Sequence, residues 1–251
     1  MSGEVIETYD AVAPIYDEFT EINDYEMWFD ALLAEGERHG LRRGRALDVG
    51  CGTGRAFGPL LRRGWLVQGC DLSPGMLEQA RRKVDASVRL DNADIRELPR
   101  FGEFDLVLAL NDVINYLTAD GDLERAFGRV RANLAPSGLF VFDSNTLSLF
   151  EEYFATGYAE GMSHGRWQWS GLTDRVQPGG IYEARLAGDG VETHIHRERH
   201  HPIADVKAAL GAAGLKCLAV LGQQEKGDRI ALLDPPDESR DLKLIYFVAL
   251  S

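Results

Sequence analysis

The stretch Ala46–Arg55, ALDVGCGTGR, decides the fold because an apolar strand pattern runs directly into three glycines. Gly50, Gly52 and Gly54 stand where a strand gives way to a helix, although glycine loses more backbone freedom on folding than any other residue. Glycines at such a turn let a bulky ligand approach the backbone, and the N–H groups of the following helix start can bind polar atoms. The stretch therefore predicts a ligand site at the end of a strand.

Short apolar runs and helical patterns alternate on both sides of this stretch. Strand, helix and strand at this spacing are typical of a parallel sheet that is covered on both faces. The sequence therefore predicts a doubly wound α/β core. Its predicted strands are 45–50, 65–73, 87–94, 104–110 and 137–145, and its predicted helices are 55–64, 74–84 and 120–134.

The pattern changes on either side of this core. Residues 4–40 are expected to be largely helical after Pro14, and a helix is expected at 146–158. Three alternating runs with glycine-rich turns between them then predict an antiparallel insert. These runs are 166–172, 180–187 and 191–200, and they are followed by a helix at 202–215 and strands at 216–223 and 242–250. We therefore expect one domain over residues 1–251, with a helical cap (1–40), a cofactor-binding core (41–145), a β lid (160–201) and the rest of the sheet (202–251).

The composition limits the partners and the compartment. The 251 residues carry 40 acidic and 27 basic side chains, a net charge of −13, which disfavours nucleic acid and anionic membranes as partners. The three cysteines include no CxxC pair, which is typical of a reduced cytoplasmic protein. We expect no signal peptide and no membrane span, because no apolar run reaches 18 residues. A monomer and a homodimer are both compatible with the sequence.

Two acidic residues beside the glycines indicate which cofactor the loop binds. Asp48 precedes a G-x-G-x-G pattern, whereas dinucleotide sites carry G-x-G-x-x-G and must tolerate a pyrophosphate. Asp71 ends the second predicted strand, where a carboxylate can accept both hydroxyls of a ribose. A ligand with an amino group, a ribose and no phosphate fits, and S-adenosylmethionine has these features. A nicotinamide oxidoreductase and a non-catalytic S-adenosylmethionine-binding protein are the alternatives.

The sequence resembles the class I S-adenosylmethionine-dependent methyltransferases of the small-molecule type, which act on amino sugars and other bacterial secondary metabolites. ALDVGCGTG is similar to their first motif, and Asp71 stands at the position of their ribose-binding acid. NADIREL (92–98) resembles the segment whose acid contacts the adenine amino group, here Asp94. The resemblance implies a seven-stranded Rossmann-like methyltransferase sheet that binds S-adenosylmethionine.

Two further segments carry the resemblance. FDLVLALNDVINYL (104–117) resembles the path from the fourth strand into the active site, and APIYDEF (13–19) resembles a motif whose tyrosine closes over the cofactor, here Tyr16. The residues expected to bind the cofactor are Tyr16, Tyr25, Trp28, Asp48, Gly50, Cys51, Gly52, Asp71, Leu72, Asp94, Ile95 and Leu110. Those expected to bind the acceptor are Asn115, Tyr116, Trp167 and Arg199. Tyr25 and Trp28 are equally compatible with a purely structural role in the helical cap.

The remaining candidate residues are possible general bases and possible metal ligands. In-line methyl transfer needs alignment more than acid–base groups, but a hydroxyl acceptor also needs a base, for which His196, Asp112 and Tyr16 are the candidates. Residues 194, 196, 198 and 200 share one face of a predicted strand and carry three imidazoles and a carboxylate, which could bind a metal. We expect an exposed polar face of the lid there instead, because methyl transfer from a sulfonium needs no metal. The sequence leaves the acceptor, and the choice between oxygen and nitrogen, open.

Overall fold

The computed structural model describes residues 2–20, 24–156, 167–188, 191–226 and 229–251. No helix within these ranges combines the length and the apolar character that crossing a bilayer requires. The helices are α1 Ser2–Val12, α2 Tyr16–Phe19, α3 Tyr25–Arg38, α4 Phe57–Arg62, α5 Pro74–Lys83, α6 Asp122–Arg131, α7 Leu147–Tyr153 and α8 Ile203–Ala212. The strands are β1 Arg45–Val49, β2 Leu66–Asp71, β3 Arg89–Asn92, β4 Phe104–Ala109, β5 Leu134–Asn145, β6 Trp167–Gly171, β7 Ile181–Gly188, β8 Val191–Arg199, β9 Leu215–Lys226, β10 Arg229–Leu233 and β11 Lys243–Leu250.

The central sheet has the order β10-β9-β11-β5-β4-β1-β2-β3. Strands β1 to β5 pair in parallel, while β11 lies antiparallel between β5 and β9. The predicted doubly wound fold is confirmed, but the prediction of seven strands is wrong by one. The eighth strand, β10, pairs with β9 at the sheet edge and is only partly buried, so its five residues show no clear alternation in the sequence.

Alternate residues of the strands pack against different helices, as a doubly wound sheet requires. Phe140 and Phe142 of β5 face α6 and α8, where Phe127 is fully buried. Val141, between them, faces the opposite layer of α3, α4 and α5 together with Phe29. This two-sided core fixes the carboxyl ends of β1, β2 and β4 side by side, and those ends carry the glycine loop and its acids.

The N-terminal segment differs from the prediction, because α1 forms before Pro14 as well as α2 and α3 after it. Helix α1 docks on the start of α5: the Asp10 carboxylate accepts hydrogen bonds from the Ser73 hydroxyl at 2.5 Å and the Gly75 N–H at 2.8 Å. Val12 is buried in the same region. These tertiary contacts, rather than a strong local pattern, stabilise α1, which explains why the sequence did not reveal it.

The predicted antiparallel insert is confirmed as a separate sheet, β6-β7-β8. Its inner face packs on α7 through a cluster in which Phe150, Phe154 and Tyr182 are buried. The backbone N–H of Arg199 donates to the carbonyl of Asn115 at 2.8 Å. The insert is thereby joined to the loop after β4 and lies over the carboxyl end of the sheet.

Candidate active site

A cavity opens at the carboxyl ends of β1, β2 and β4, with α1 and the start of α2 on its far side. It encloses about 1060 Å³ of empty space, counted out to its open mouth. Every residue predicted to bind the cofactor lines this cavity except Trp28. Trp28 is buried behind it, with its ring centroid 5.9 Å from Lys243 Nζ.

The glycine loop forms the floor of the cavity. Gly50 and Gly52 have φ angles of +71° and +53°, in the left-handed region that glycine adopts without strain. A Cβ at Gly50 would lie 2.5 Å from a methyl group of Val113, so this position has no room for a side chain. A Cβ at Gly52 would meet nothing nearer than the Tyr16 ring at 3.9 Å, so it would project into the cavity instead. Gly52 therefore leaves the floor of the cavity open to a ligand, and Gly50 allows the loop to pack against Val113.

The two acids beside the loop are buried and differ in their partners. Asp71 accepts hydrogen bonds from the N–H groups of Gly52 and Ser73, both at 2.8 Å, and burial raises its pKa to about 6 although these bonds oppose the rise. Within the described part of the chain, no hydrogen bond or ion pair reaches Asp48. Burial, and secondarily the charge of Asp71, raises the pKa of Asp48 to about 8. A cation bound in the cavity would relieve this cost.

Asp94 lies at the end of the loop after β3, where it begins the 3-10 turn Ile95–Glu97. Its carboxylate accepts from the Arg96 backbone N–H at 2.9 Å and from the Arg96 guanidinium at 2.5 to 3.2 Å. Both side chains line the cavity, and together with Ile95 they form its wall. Arg96 was not predicted from the sequence.

The N-terminal segment closes the cavity through contacts with the glycine loop. The Thr53 hydroxyl donates to the Asp17 carboxylate at 2.5 Å, and Arg55 donates to the Thr20 hydroxyl at 2.6 Å. The Arg55 guanidinium also lies 4.8 Å from the centre of the Tyr25 ring. These contacts hold Tyr16 and Tyr25 over the cavity, and burial strongly raises the pKa of both phenols, so both stay neutral.

The loop after β4 is strained and carries a buried charge cluster. Asn111 and Asp112 have φ angles of +60° and +69°, which non-glycine residues rarely adopt outside functional sites. The Asp112 carboxylate accepts from Lys243 Nζ, which also donates to Asp143 at 2.7 Å. Asp112, one of the candidate bases, is therefore ion-paired with Lys243, a residue that the sequence did not single out.

Tyr116, His196 and Tyr9 meet where the lid reaches the cavity. The Tyr116 hydroxyl and His196 Nδ1 form a hydrogen bond of 2.8 Å. The Tyr9 ring lies 5.5 Å from the Tyr116 ring, 5.8 Å from the His196 ring and 6.3 Å from the Tyr16 ring. Burial lowers the pKa of His196 to about 4, and its neighbour His194 acts in the same direction. Tyr9 comes from α1, and no pattern in the sequence places it here.

Several predicted residues lie beside the cavity but do not line it. Asn115 joins loop, lid and sheet: its side chain donates to the Arg199 carbonyl at 2.8 Å and accepts from the Asn145 N–H at 3.0 Å. The Arg199 guanidinium is directed to Asp120 at 2.8 Å. Trp167 begins β6, and its side chain lies outside the described residues. The roles assigned to these residues, and to His196, Asp112 and Tyr16 as catalytic groups, stay predictions.

The alternation along β8 is as the sequence predicted, but the face that carries the histidines is buried and not exposed to solvent. His196, Glu198 and His200 are buried and His194 is partly buried, while Thr193, Ile195 and Arg197 on the other face are exposed. Their polar groups bond elsewhere: Asn145 donates to Glu198 at 2.9 Å, and His200 Nε2 lies 2.7 Å from the Glu238 carboxylate. In the ranges that the structure describes, no three such groups are arranged to hold a metal ion.

Comparison with known proteins identifies the family. A family profile described as "Methyltransferase domain" matches residues 46–138. A methyltransferase homologue from Geobacillus sp. (strain WCH70) is 30% identical over 228 residues, which cover 85% of this chain and 91% of that protein. The chain belongs to the class I S-adenosylmethionine-dependent methyltransferases. The family and its methyl donor, both expected from the sequence, are confirmed.

Two further relatives of this methyltransferase extend the comparison. A crystal structure of an S-adenosylmethionine-dependent methyltransferase from Clostridium acetobutylicum ATCC 824 has a TM-score of 0.78 at 23% identity, covering 97% of this chain and 99% of that one. The dTDP-3-amino-3,6-dideoxy-alpha-D-glucopyranose N,N-dimethyltransferase of Streptomyces fradiae is 32% identical over 157 residues, covering 62% of this chain and 58% of that protein. The alternative of a nicotinamide oxidoreductase receives no support from these relatives.

Proposed function

We propose that this methyltransferase transfers a methyl group from S-adenosylmethionine to an amine nitrogen of a small, amino-sugar-like acceptor. The observation that carries the proposal is that neither Asp112 nor His196, two of the candidate bases, lines the cavity. Asp112 is ion-paired with Lys243, and His196 is hydrogen-bonded to Tyr116 through Nδ1, while its buried Nε2 has no partner among the described residues. An unprotonated amine already has the lone pair that attack requires, whereas a hydroxyl needs a base within hydrogen-bond reach.

The pKa of the candidate bases supports nitrogen over oxygen. Burial lowers the pKa of His196 to about 4, so the imidazole would be a weak acceptor for an alcohol proton. Tyr16, the third candidate, has a pKa raised by burial and by the charges of Asp112 and Asp71, so it is a neutral phenol at pH 7. These groups can orient and enclose an acceptor, but they are poorly matched to proton abstraction near neutral pH.

The residues of the cavity fit S-adenosylmethionine. Asp48 is a buried carboxylate with no partner among the described residues, as a site for the methionine ammonium requires. Asp71 is held by two backbone N–H groups, and its remaining oxygen lone pairs would accept the hydroxyls of a ribose. Asp94 lines the cavity and would accept a hydrogen bond from the adenine amino group. The bound cofactor supplies a methyl group on a positively charged sulfur.

The chain's own contribution is then alignment and exclusion of water. The Tyr9 ring lies 5.5 Å from the Tyr116 ring and 6.3 Å from the Tyr16 ring, and all three side chains line the cavity. Burial raises the pKa of Tyr9 and Tyr116 well above the ordinary value, so this wall carries no negative charge of its own. Neutral aromatic faces favour a cationic or polarised amine and keep water away from it. The Streptomyces fradiae relative, whose name states an amino-sugar N,N-dimethyltransferase, is consistent with such an acceptor.

The test is a paired screen with the purified protein and S-adenosylmethionine. Amino-deoxy sugars and their nucleotide-linked forms are each assayed beside the matched hydroxy sugar, and products are detected by mass spectrometry. We expect methylation of at least one amine and of none of the matched alcohols. Preferential methylation of an alcohol would refute the assignment to nitrogen. Binding of S-adenosylhomocysteine without transfer to any small acceptor would favour the non-catalytic alternative.

A variant separates the two acceptor atoms further. His196→Asn keeps a polar atom near the position of Nδ1 but removes the imidazole. For an amine acceptor we expect kcat to fall less than about tenfold, because general-base loss, which costs roughly 10²- to 10⁴-fold, does not apply. Tyr116→Phe is the matched variant that breaks the same hydrogen bond from the other side. A loss of kcat above a hundredfold for His196→Asn alone would restore His196 as the base.

A further inference from the structure

The wall of the cavity near Asp94 contains a chain of alternating charges. Arg96 Nη2 donates to Asp94 Oδ2 at 2.5 Å and Nε donates to Oδ1 at 2.9 Å, so the guanidinium fork grips both carboxylate oxygens. Arg96 Nη1 reaches the Asp122 carboxylate at 3.4 Å, and Arg125 donates to the other oxygen of Asp122. The Asp122 side chain is only 1% exposed, so the carboxylate that contacts Arg96 is enclosed by the protein.

This arrangement controls both the orientation and the protonation of Asp94. A two-point contact with a guanidinium fixes the plane of a carboxylate, which a single contact would not do. Burial acts to raise the pKa of Asp94, but the hydrogen bonds from Arg96 outweigh it and lower the pKa below the ordinary value. With Arg96 in place, Asp94 is ionised and can only accept hydrogen bonds.

We propose that Arg96 is a positioning residue that makes the adenine site select a 6-amino group over a 6-oxo group, by holding the Asp94 carboxylate in one orientation. The inference rests on the proposed contact between Asp94 and the adenine. A 6-amino group donates a hydrogen bond to a fixed carboxylate, whereas a 6-oxo group presents a second acceptor and is repelled. Without the fork, Asp94 can turn away or take up a proton and then donate to the 6-oxo group, so the selectivity falls.

The experiment measures a ratio of dissociation constants. Isothermal titration calorimetry compares S-adenosylhomocysteine with its 6-oxo analogue, S-inosylhomocysteine, on the wild-type protein and on Arg96→Met. We expect the wild type to prefer the adenine form by at least about tenfold, the scale of one hydrogen bond to a charged acceptor. We expect Arg96→Met to prefer it by less than threefold, and Arg96→Lys, which keeps the charge but not the fork, to lie between them.

Two controls separate this role from a structural one. Arg125→Met removes the exposed partner of Asp122 and leaves the contacts of Asp94 with Arg96 in place, so its ratio is expected to stay within twofold of the wild type. If Arg96 only supported the fold, Arg96→Met would weaken both ligands equally and the ratio would not change, which would overturn the inference. If Arg96→Met does not fold, an unchanged ratio in Arg96→Lys overturns it in the same way.

The same titrations distinguish failure of the proposed function. A wild-type protein that does not bind S-adenosylhomocysteine would contradict the proposed site as a whole. If the wild type prefers the adenine form and Asp94→Asn keeps the full preference, Asp94 does not contact the adenine. The role of Arg96 alone would be overturned by one combination of results. In it, the wild type prefers the adenine form, Asp94→Asn loses this preference and Arg96→Met keeps it.

Discussion

Replacing Asp48 with asparagine should stabilise the cofactor-free protein while weakening its cofactor site. The pKa of Asp48 is about 8 in the folded chain against an ordinary value of 3.8, because the carboxyl is buried near Asp71. Between about pH 4 and pH 8 the folded protein therefore holds a proton that the unfolded chain has released, and stability falls as the pH rises through that window. Asparagine has no titrating carboxyl, so the variant should not lose stability in this pH window.

The magnitude follows from the displacement of the pKa. One pH unit between the folded and unfolded values corresponds to about 1.4 kcal/mol, so Asp48 costs about 4 kcal/mol at pH 7. The corresponding gain for Asp48→Asn is an increase in Tm of about 8 to 16 °C at pH 7 for a chain of this size. At pH 4.5 the stabilisation of Asp48→Asn relative to the wild type should fall to about 1 kcal/mol. At that pH the Asp48 carboxyl is incompletely ionised in the unfolded wild type and almost fully protonated in the folded one, so the two states differ less in bound protons.

The assay is thermal unfolding of wild type and Asp48→Asn from pH 4.5 to 8, with and without S-adenosylhomocysteine. With the ligand, whose ammonium can pair with Asp48, we expect the wild type to gain more in Tm than the variant and to bind at least about tenfold more tightly. Asp30→Asn is the matched control, since Asp30 is an exposed partner of Arg63 and its loss should cost less than about 1 kcal/mol at every pH. A variant whose Tm at pH 7 is no higher than the wild type, or whose gain does not depend on pH, would refute the reasoning.

Three further outcomes follow from the site. Lys243→Met leaves the carboxylates of Asp112 and Asp143 without their buried cation and should lower the free energy of unfolding by about 3 to 5 kcal/mol at pH 7, measured by denaturant unfolding. Lys216→Met, on the exposed part of β9, is the control and should change it by less than about 0.5 kcal/mol. Gly50→Ala places a Cβ against Val113 at a left-handed φ and so displaces the glycine loop, for which we expect at least a tenfold loss of S-adenosylhomocysteine affinity by calorimetry. Wild-type affinity would contradict the role of this loop conformation in binding. With an amine acceptor, kcat/KM should rise about tenfold per pH unit up to the pKa of the amine itself, because only the neutral amine attacks. A profile that instead follows a group of the free enzyme would point to a general base.

The sequence determined the architecture because its signals there are local. Each core strand is a short apolar run and each helix has its own periodicity, so the positions of β1 to β5 along the chain and of the glycine loop could be predicted without tertiary information. The acids Asp48, Asp71 and Asp94 lie at or just beyond the carboxyl ends of β1, β2 and β3, which are adjacent parallel strands, so topology alone places them at one edge of the sheet. The cofactor could therefore be predicted from residues that are close in the chain to recognisable strands.

What only the tertiary structure decided is the state of each functional group and the far wall of the site. Tyr9 reaches the cavity because Asp10 anchors α1 on α5, a contact between residues more than 60 positions apart. Asp112, a reasonable base in the sequence, is neutralised by Lys243, which lies 131 positions later on β11. Pairing and burial set pKa values and free lone pairs, and both depend on neighbours that no local pattern specifies. The sequence thus determined which donor the loop binds, and the packing around it determined which groups remain able to react.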